Sequence, residues 1–405
     1  MKSLILLPAG LPDVPSSVLD GRTPLEAART PTLDRWASRG RAGCVRLVPP
    51  GLPPGSDTAL LALLGVDPRR EHPGRGALEA LGLGVELGPD DLAFRLSLCS
   101  SFDGQLSHPR GGGLRPREAR ALVESMEAAF GGDGYEFHPG RGYRALLVLR
   151  GGADLQIETK APALARVGAL DTHRPTGRDA AELCELLELA EELLASHDVN
   201  RVRADLGETP ADSLWAWGPG RRTELMPFAL RDGRELAVIA QSPLVRGLGL
   251  ALGAHVPELR VSHDELVTAW DDKLAAARAA LDTHDVVLLH IGVLSEASHE
   301  RDPRLKRSLI EQLDTHLLRP LERELSARED LRLLITSDHA APSSDSGPGS
   351  DMLPFLAVGS GFAPVRAGRF TEAEAARGDL RVEQGSALLA FLHRSGHSAA
   401  GDESA

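Results

Sequence analysis

Cysteine is scarce in this 405-residue chain: Cys44, Cys99 and Cys184 are scattered, with no CxxC pair and no Cys/His zinc spacing between them. That excludes a disulfide framework, and a sparse, odd count fits a reducing compartment. Positive charge is also short, since the formal net charge is −13. A general nucleic-acid binder needs a cationic surface and is excluded; a small phosphorylated ligand needs only a few local arginines and is not. Aromatic residues are few, whereas Gly and Pro are plentiful. No apolar run approaches the ~20 residues of a membrane span. The apolar stretch behind Met1 is too short for a signal peptide, and no small-residue cleavage motif follows it. The expected location is the cytoplasm.

What is present is an alternation of strand and helix signals. Leu4–Leu7 is a continuous apolar run, the kind buried on both faces of a parallel sheet, and it leads into Pro8-Ala9-Gly10. Thr23 to Gly40 reads as two short helical pieces with Thr23 and Thr32 as N-caps and Gly40 as the stop. "CVRLV" follows as a strand, and the loop "PPGLPPGSD" opens the apolar helix "TALLALLG". From about Leu92 the texture changes. "LAFRLSLCSS" alternates with period two, the signal of a half-buried strand, "RPREARALVESMEAAF" is amphipathic, and "YEFHPGRGYRALLVLR" has the form of a hairpin. After Ala211 the parallel pattern resumes, with strands in "ELAVIAQ", "DVVLLHIGV", "LRLLITSDH" and "PFLAVG". The expected fold is α/β: a doubly wound, mostly parallel sheet with an inserted smaller α+β domain. The boundaries read as 1–92 and 173–405 for the large domain and 93–172 for the insert, with a short polar tail.

Ligands of open parallel sheets sit beyond the carboxyl ends of the strands, so candidate residues are sought there. Asp338 and His339 follow a buried strand, and a carboxylate beside an imidazole suits a divalent ion. An Asp there can equally be a helix N-cap. Glu296, His299, Glu300 and Asp302 follow another strand, where His299 is either a ligand or base or part of a solvated charged loop. Ser56 starts a helix in a Gly/Pro loop. It reads as an N-cap, or as a nucleophile facing the positive helix end where a phosphoserine is stabilised. Arg75, Arg95, Arg110, Arg141 and Arg144 are available for an anionic substrate. "HPRGGGL" lacks the spacing of a phosphate-binding loop.

The stretches "GRTPLEAARTPTLDRWASRG", "PPGSDTALLALLGVDPR", "GRGALEALGLGVELGPDDLAFR", "FHPGRGYRALLVLRG", "WAWGPG", "LVRGLG" and "LLITSDHAAP" run in order over nearly the whole chain. Together they resemble the archaeal-type cofactor-independent phosphoglycerate mutases of the alkaline phosphatase superfamily. The similarity is greatest to a bacterial branch also labelled proposed homoserine kinase. The resemblance implies an alkaline-phosphatase-like domain with an inserted substrate domain. It also implies interconversion of 2- and 3-phosphoglycerate, a glycolytic reaction, through a phosphoserine activated by two divalent ions, Mn or Mg. Carried over, Ser56 matches the nucleophile, Asp338 and His339 a ligand pair of the serine-side metal, and His299 a ligand of the other. Arg110, Arg144 and Lys306 fall where the family has basic residues near substrate.

The same resemblance exposes departures. The family's first strand ends in a metal-ligating Asp where this chain has Ala9. An Asp of its Asp-Glu-Ala-Gly-His run is Ser295 here, a later His falls at Pro348, and an Asp of the inserted domain is His108. Ala and Pro side chains cannot coordinate a metal. Asp13, Glu296, Glu300, Asp345 and Asp351 are the acids available as replacements. The expectation is a degraded two-metal site, with a divalent metal if the enzyme is active and no cofactor if it is not. The alternatives are an inactive pseudoenzyme that binds a phosphometabolite or a protein partner, and a single-metal phosphatase. The expected partner is a small phosphorylated metabolite such as phosphoglycerate, not nucleic acid or membrane.

Overall fold

A computed structural model describes residues 1–132, 134–161, 170–259, 268–343, 351–362 and 368–394. The strands are β1 (Lys2–Pro8), β2 (Arg41–Val45), β3 (Leu92–Phe102), β4 (Gln105–His108), β5 (Tyr135–Pro139), β6 (Arg144–Leu149), β7 (Ser213–Gly220), β8 (Leu236–Ile239), β9 (Val286–Ile291), β10 (Leu331–Ile335), β11 (Leu353–Gly359) and β12 (Leu380–Val382). They form two sheets, one in each of two compact units.

The first unit comprises Met1–His72, Met226–Ser242 and Leu252–Ala405. Its seven-stranded sheet runs β12-β2-β11-β10-β1-β9-β8, and only β11 runs antiparallel to the rest. The mostly parallel α/β fold expected from the sequence is therefore present. The apolar runs of β1, β9 and β10 are buried along almost their whole length, as helix-covered parallel strands must be. Leu4, Leu6, Leu289 and Leu333 on the sheet pack with Leu281, Leu309, Ile310 and Leu317 from flanking helices. Because β1 lies between β9 and β10, the carboxyl ends of three central strands come together. Ala9 N–H donates to the Ile291 carbonyl, and Thr336 N–H to that of Leu6.

Helix signals hold with local corrections. Thr23 caps Pro24–Ala27 with a full capping box. Thr32 is not a cap: Thr30 holds that position, and the helix begins at Pro31. The stretch from Pro303 to Ala327 is interrupted by a π turn at Asp314–Leu318. Buried Asp314 there accepts from the N–H groups of Thr32 and Leu33, satisfying free donors at the start of helix Pro31–Ala37. No described helix is long and apolar enough to cross a membrane.

The second unit comprises Pro73–Leu225 and Pro243–Ala251, wider than the 93–172 block expected from composition. The reason is pairing over long sequence distance. β3 takes β6 on one edge and β7 on the other, with β5 beyond β6 and β4 paired to the far end of β3, all antiparallel. Phe94, Leu96 and Leu98 of β3 face helices Pro116–Phe130 and Ala181–Ser196 through Leu122, Met126 and Leu187. The other face is covered by helix Arg75–Leu83, through Ala77 and Ala80 against Ala93, Leu146 and Val148. The strand expected to be half-buried is thus buried on both sides. Helix Pro243–Ala251 packs on Arg75–Leu83 so tightly that a Cβ on Gly82 would come within 1.8 Å of the Pro243 carbonyl oxygen.

Candidate active site

At the end of β10 the chain turns through Ser337-Asp338-His339. Asp338 is completely buried. Its Oδ1 accepts from the backbone N–H of Gly10 at 3.1 Å and of His339 at 2.9 Å, and lies 3.1 Å from His339 Nδ1. Its Oδ2 is buried with no hydrogen-bond partner among the described residues. Burial alone would push this carboxyl up. His339, the Ser56 hydroxyl and His290 outweigh burial and hold it well below the usual carboxylate range.

Ser56 is the first residue of helix Ser56–Leu63; Gly55 is the N-cap, and no side chain caps that end. The N-cap reading of Ser56 is therefore corrected, and its hydroxyl stands near Asp338. Behind Asp338, His290 on β9 is buried, and desolvation presses its pKa down to about 4 despite the neighbouring Asp338 charge. Sequence reasoning passed over His290; its signal was a lone polar residue in the apolar run "VVLLHI".

Ala9 at the end of β1 is 3% exposed. Beside it Gly10 takes a left-handed φ of +71°, and a Cβ there would lie 2.8 Å from the Ala341 Cβ and 3.1 Å from the Ser295 Cα. The backbone of Ala9–Gly10 is thus packed between Ser295 and the loop after Asp338. Neither Ala9 nor Ser295 brings a carboxylate.

Asp13, the nearest acid along the chain, is not a free ligand. Oδ1 accepts from the N–H of Val14 and Ser343, and Oδ2 from the Ser343 hydroxyl and Lys306 Nζ, both close to 2.8 Å. Lys306, expected near substrate, is corrected here. Its side chain is wholly buried, and its ammonium donates to Asp13 Oδ2, the Ala341 carbonyl and, at 3.4 Å, the Pro12 carbonyl. His299 ends the short helix Val293–His299 in an exposed position. Asp351 is an exposed partner of Arg46. Pro348 and Asp345 lie outside the described residues.

Among the described residues no three His, Cys, Asp or Glu side chains gather as a metal site. The unpartnered Asp338 Oδ2 with His339 and Ser56 gives one carboxylate, one imidazole and one hydroxyl. With the buried His290 behind Asp338, the described residues here supply one carboxylate, and two divalent ions would draw on more carboxylate charge than this described set carries.

In the second unit, alternation along β3 turns Arg95 toward helix Arg75–Leu83. There it meets Glu79 with two contacts of 2.6 and 2.7 Å, and Arg75 adds a third at 2.9 Å. Burial would raise the Glu79 carboxyl, but Arg95, Arg75 and Arg144 outweigh it and hold it low. Guanidinium groups also stand over two aromatic rings. Arg144 and Arg110 are 4.7 and 5.0 Å from the Tyr143 centroid, and Arg75 is 4.7 Å from that of Trp217. Arg95, Arg75 and Arg144 thus act on the one carboxylate of Glu79, and Arg110 joins Arg144 at the Tyr143 ring, an arrangement suited to an anionic ligand. His108 lies exposed on β4.

Comparison with known proteins decides the family. The chain is 36% identical over 418 residues to the 2,3-bisphosphoglycerate-independent phosphoglycerate mutase of Methanopyrus kandleri, covering 96% of this chain and 95% of the relative. It is 35% identical to that of Methanosarcina mazei over 88% of this chain and 90% of the relative. The chain belongs to the 2,3-bisphosphoglycerate-independent phosphoglycerate mutase family. The family's sequence model, of the same description, matches residues 37–200. Among solved structures, the PH0037 protein from Pyrococcus horikoshii superposes with a TM-score of 0.73 at 28% identity over 96% of both chains. The cofactor-independent phosphoglycerate mutase from Thermoplasma acidophilum gives 0.57 at 28% identity, over 97% of this chain and 99% of that one. The mixed α/β architecture is shared with both of these solved structures.

Proposed function

We propose that this chain binds a phosphorylated three-carbon acid of the phosphoglycerate class, with Arg110 and Arg144 as anion ligands. The phosphoserine chemistry of the family, centred on Ser56, is strongly reduced in it. The relatives' names supply the substrate class, and the arginine cluster of the second unit supports it. The observation that carries the reduction is at the end of β1. Ala9 stands beside buried Asp338 where the family resemblance requires a carboxylate, and the nearby Asp13 is fully engaged by Lys306 and Ser343. A serine hydroxyl needs an activating group, and Ala9 brings no carboxylate to help hold a metal that would supply it.

The test is calorimetric binding of 3-phosphoglycerate, with conversion followed by ³¹P NMR in the presence of Mn²⁺. The expected result is binding with conversion about 100- to 1000-fold slower than in the Methanosarcina mazei relative, the cost of losing a principal electrostatic stabiliser. Conversion at the relative's rate, abolished by Ser56→Ala, overturns the reduction.

A second reading is favoured by the unpartnered Asp338 Oδ2 beside Ser56. In it Ser56, Asp338 and His339 serve a phosphatase that holds one ion. It predicts Mn²⁺-dependent release of phosphate from p-nitrophenyl phosphate, lost in Asp338→Asn.

A further inference from the structure

The buried pair Asp13–Lys306 joins two loops, not a side chain to a ligand. One loop, Ala9 to Val14, leaves β1; the other, Asp338 to Ser343, leaves β10. Between them Lys306 Nζ donates to Asp13 Oδ2 and to the Ala341 carbonyl, Ala341 N–H donates to the Pro12 carbonyl, and Ser343 gives both N–H and hydroxyl to Asp13. Closer to the strand ends the same two loops meet again. Ser337 Oγ accepts from Leu11 N–H at 3.2 Å and donates to the Pro8 carbonyl at 3.0 Å, and Gly10 N–H donates to Asp338 Oδ1. Glu372 anchors the far side, accepting from Asp13 N–H at 3.1 Å and from the Thr23 hydroxyl at 2.9 Å.

Two buried charges are a costly way to hold two loops, and apolar replacements of equal volume are often as stable. What the pair adds is direction: an ammonium with three near-fixed acceptors sets one register between the loops. We infer that Lys306 and Asp13 are positioning residues, which lock the loop after β1 against the loop after β10 and so fix Asp338 and its unpartnered oxygen in place. The inference rests on reading Asp338 and Ser56 as the site.

The test is residue-resolved amide hydrogen exchange in the full chain. Asp13→Asn/Lys306→Met removes both charges together, leaving no buried charge unpaired while the Asn oxygen still accepts from Val14 and Ser343. Exchange at Gly10, Leu11 and His339 is expected to rise at least about tenfold, with Leu288 and Leu333 in the central strands unchanged. Site amides that stay protected, or that speed up by the same factor as the central strands, overturn the inference. Ser343→Ala, which removes one hydroxyl from Asp13, is read by the same criteria and decides the matter if the double variant does not fold. No ligand enters this readout. A wild-type chain that fails to bind 3-phosphoglycerate therefore contradicts the proposed function and leaves this result to stand or fall by itself.

Discussion

Gly10 N–H donates to Asp338 Oδ1 at 3.1 Å, tying the end of the first strand to the acid at the end of the tenth. The contact uses one carboxylate oxygen and leaves Oδ2 buried without a hydrogen-bond partner among the described residues. A buried carboxylate oxygen in that state costs roughly 1–3 kcal/mol unless a cation, a water or a donor approaches it. Its neighbours on the β1 side, Ala9 and Gly10, offer no carboxylate to share such a cation.

Placing that carboxylate should expose the deficiency directly. Ala9→Asp sets a second anion beside Asp338 in a buried site. In chelator it is expected to lower stability by about 1–3 kcal/mol through like-charge repulsion and desolvation. Added Mn²⁺ should recover the loss, because binding to the folded state alone stabilises it by mass action. Thermal unfolding with and without Mn²⁺ checks this. Equal Mn²⁺ shifts in variant and wild type would show that Ala9 is not the limiting position.

The arginine cluster carries the anion-binding claim. Arg110→Ala and Arg144→Ala are each expected to weaken 3-phosphoglycerate binding about tenfold or more, with little change in melting temperature. Calorimetry at two salt concentrations reads it. Unchanged affinity in both variants removes these arginines from the site.

Glu79 is a different case from those arginines. It is 4% exposed and neutralises Arg95, which is 3% exposed. Glu79→Gln strands a buried guanidinium and is expected to cost about 3–5 kcal/mol. Chemical denaturation measures it; a cost under about 1 kcal/mol contradicts the pairing.

Stability should also depend on pH in two opposing windows. His393 is buried near Asp232, and desolvation holds it down at about 4, as it does His290. The unfolded chain takes up these protons first, so stability falls as pH drops from about 6.5 toward 4. His393→Phe should flatten that fall. Glu372 is raised to about 7 by burial, against hydrogen bonds from Thr23 and Asp13 that favour its charge. Here the unfolded carboxyl ionises first, so stability is lost as pH rises from about 4.5 through 7. Glu372→Gln should gain about 1 kcal/mol above pH 7, a modest figure because the residue is partly exposed, and nothing below pH 4. Urea titrations from pH 4 to 8 check both.

The sequence made the first unit legible because its strands are continuous apolar runs, and buried parallel strands leave that signature. Leu4–Leu7, Val286–Ile291 and Leu331–Ile335 lie in the sheet as read. Asp338-His339 stood out because strand ends are few. The extent of the second unit did not stand out, since β7 pairs with β3 across more than a hundred residues and pairing at that distance leaves no local pattern. Lys306 was equally opaque. A lysine on an amphipathic helix looks the same whether it faces a ligand or an inward-turned aspartate. Ser56 looked like a cap because Ser-Asp-Thr before an apolar run usually is one; Gly55 fills that role instead.

The most direct test follows 3-phosphoglycerate by ³¹P NMR with Mn²⁺, comparing the wild-type chain with Ala9→Asp/Ser295→Asp. The account predicts slow conversion by the wild type and faster conversion by the variant, lost again on Ser56→Ala. Conversion by the wild type as fast as by the variant, and dependent on Ser56, would contradict it.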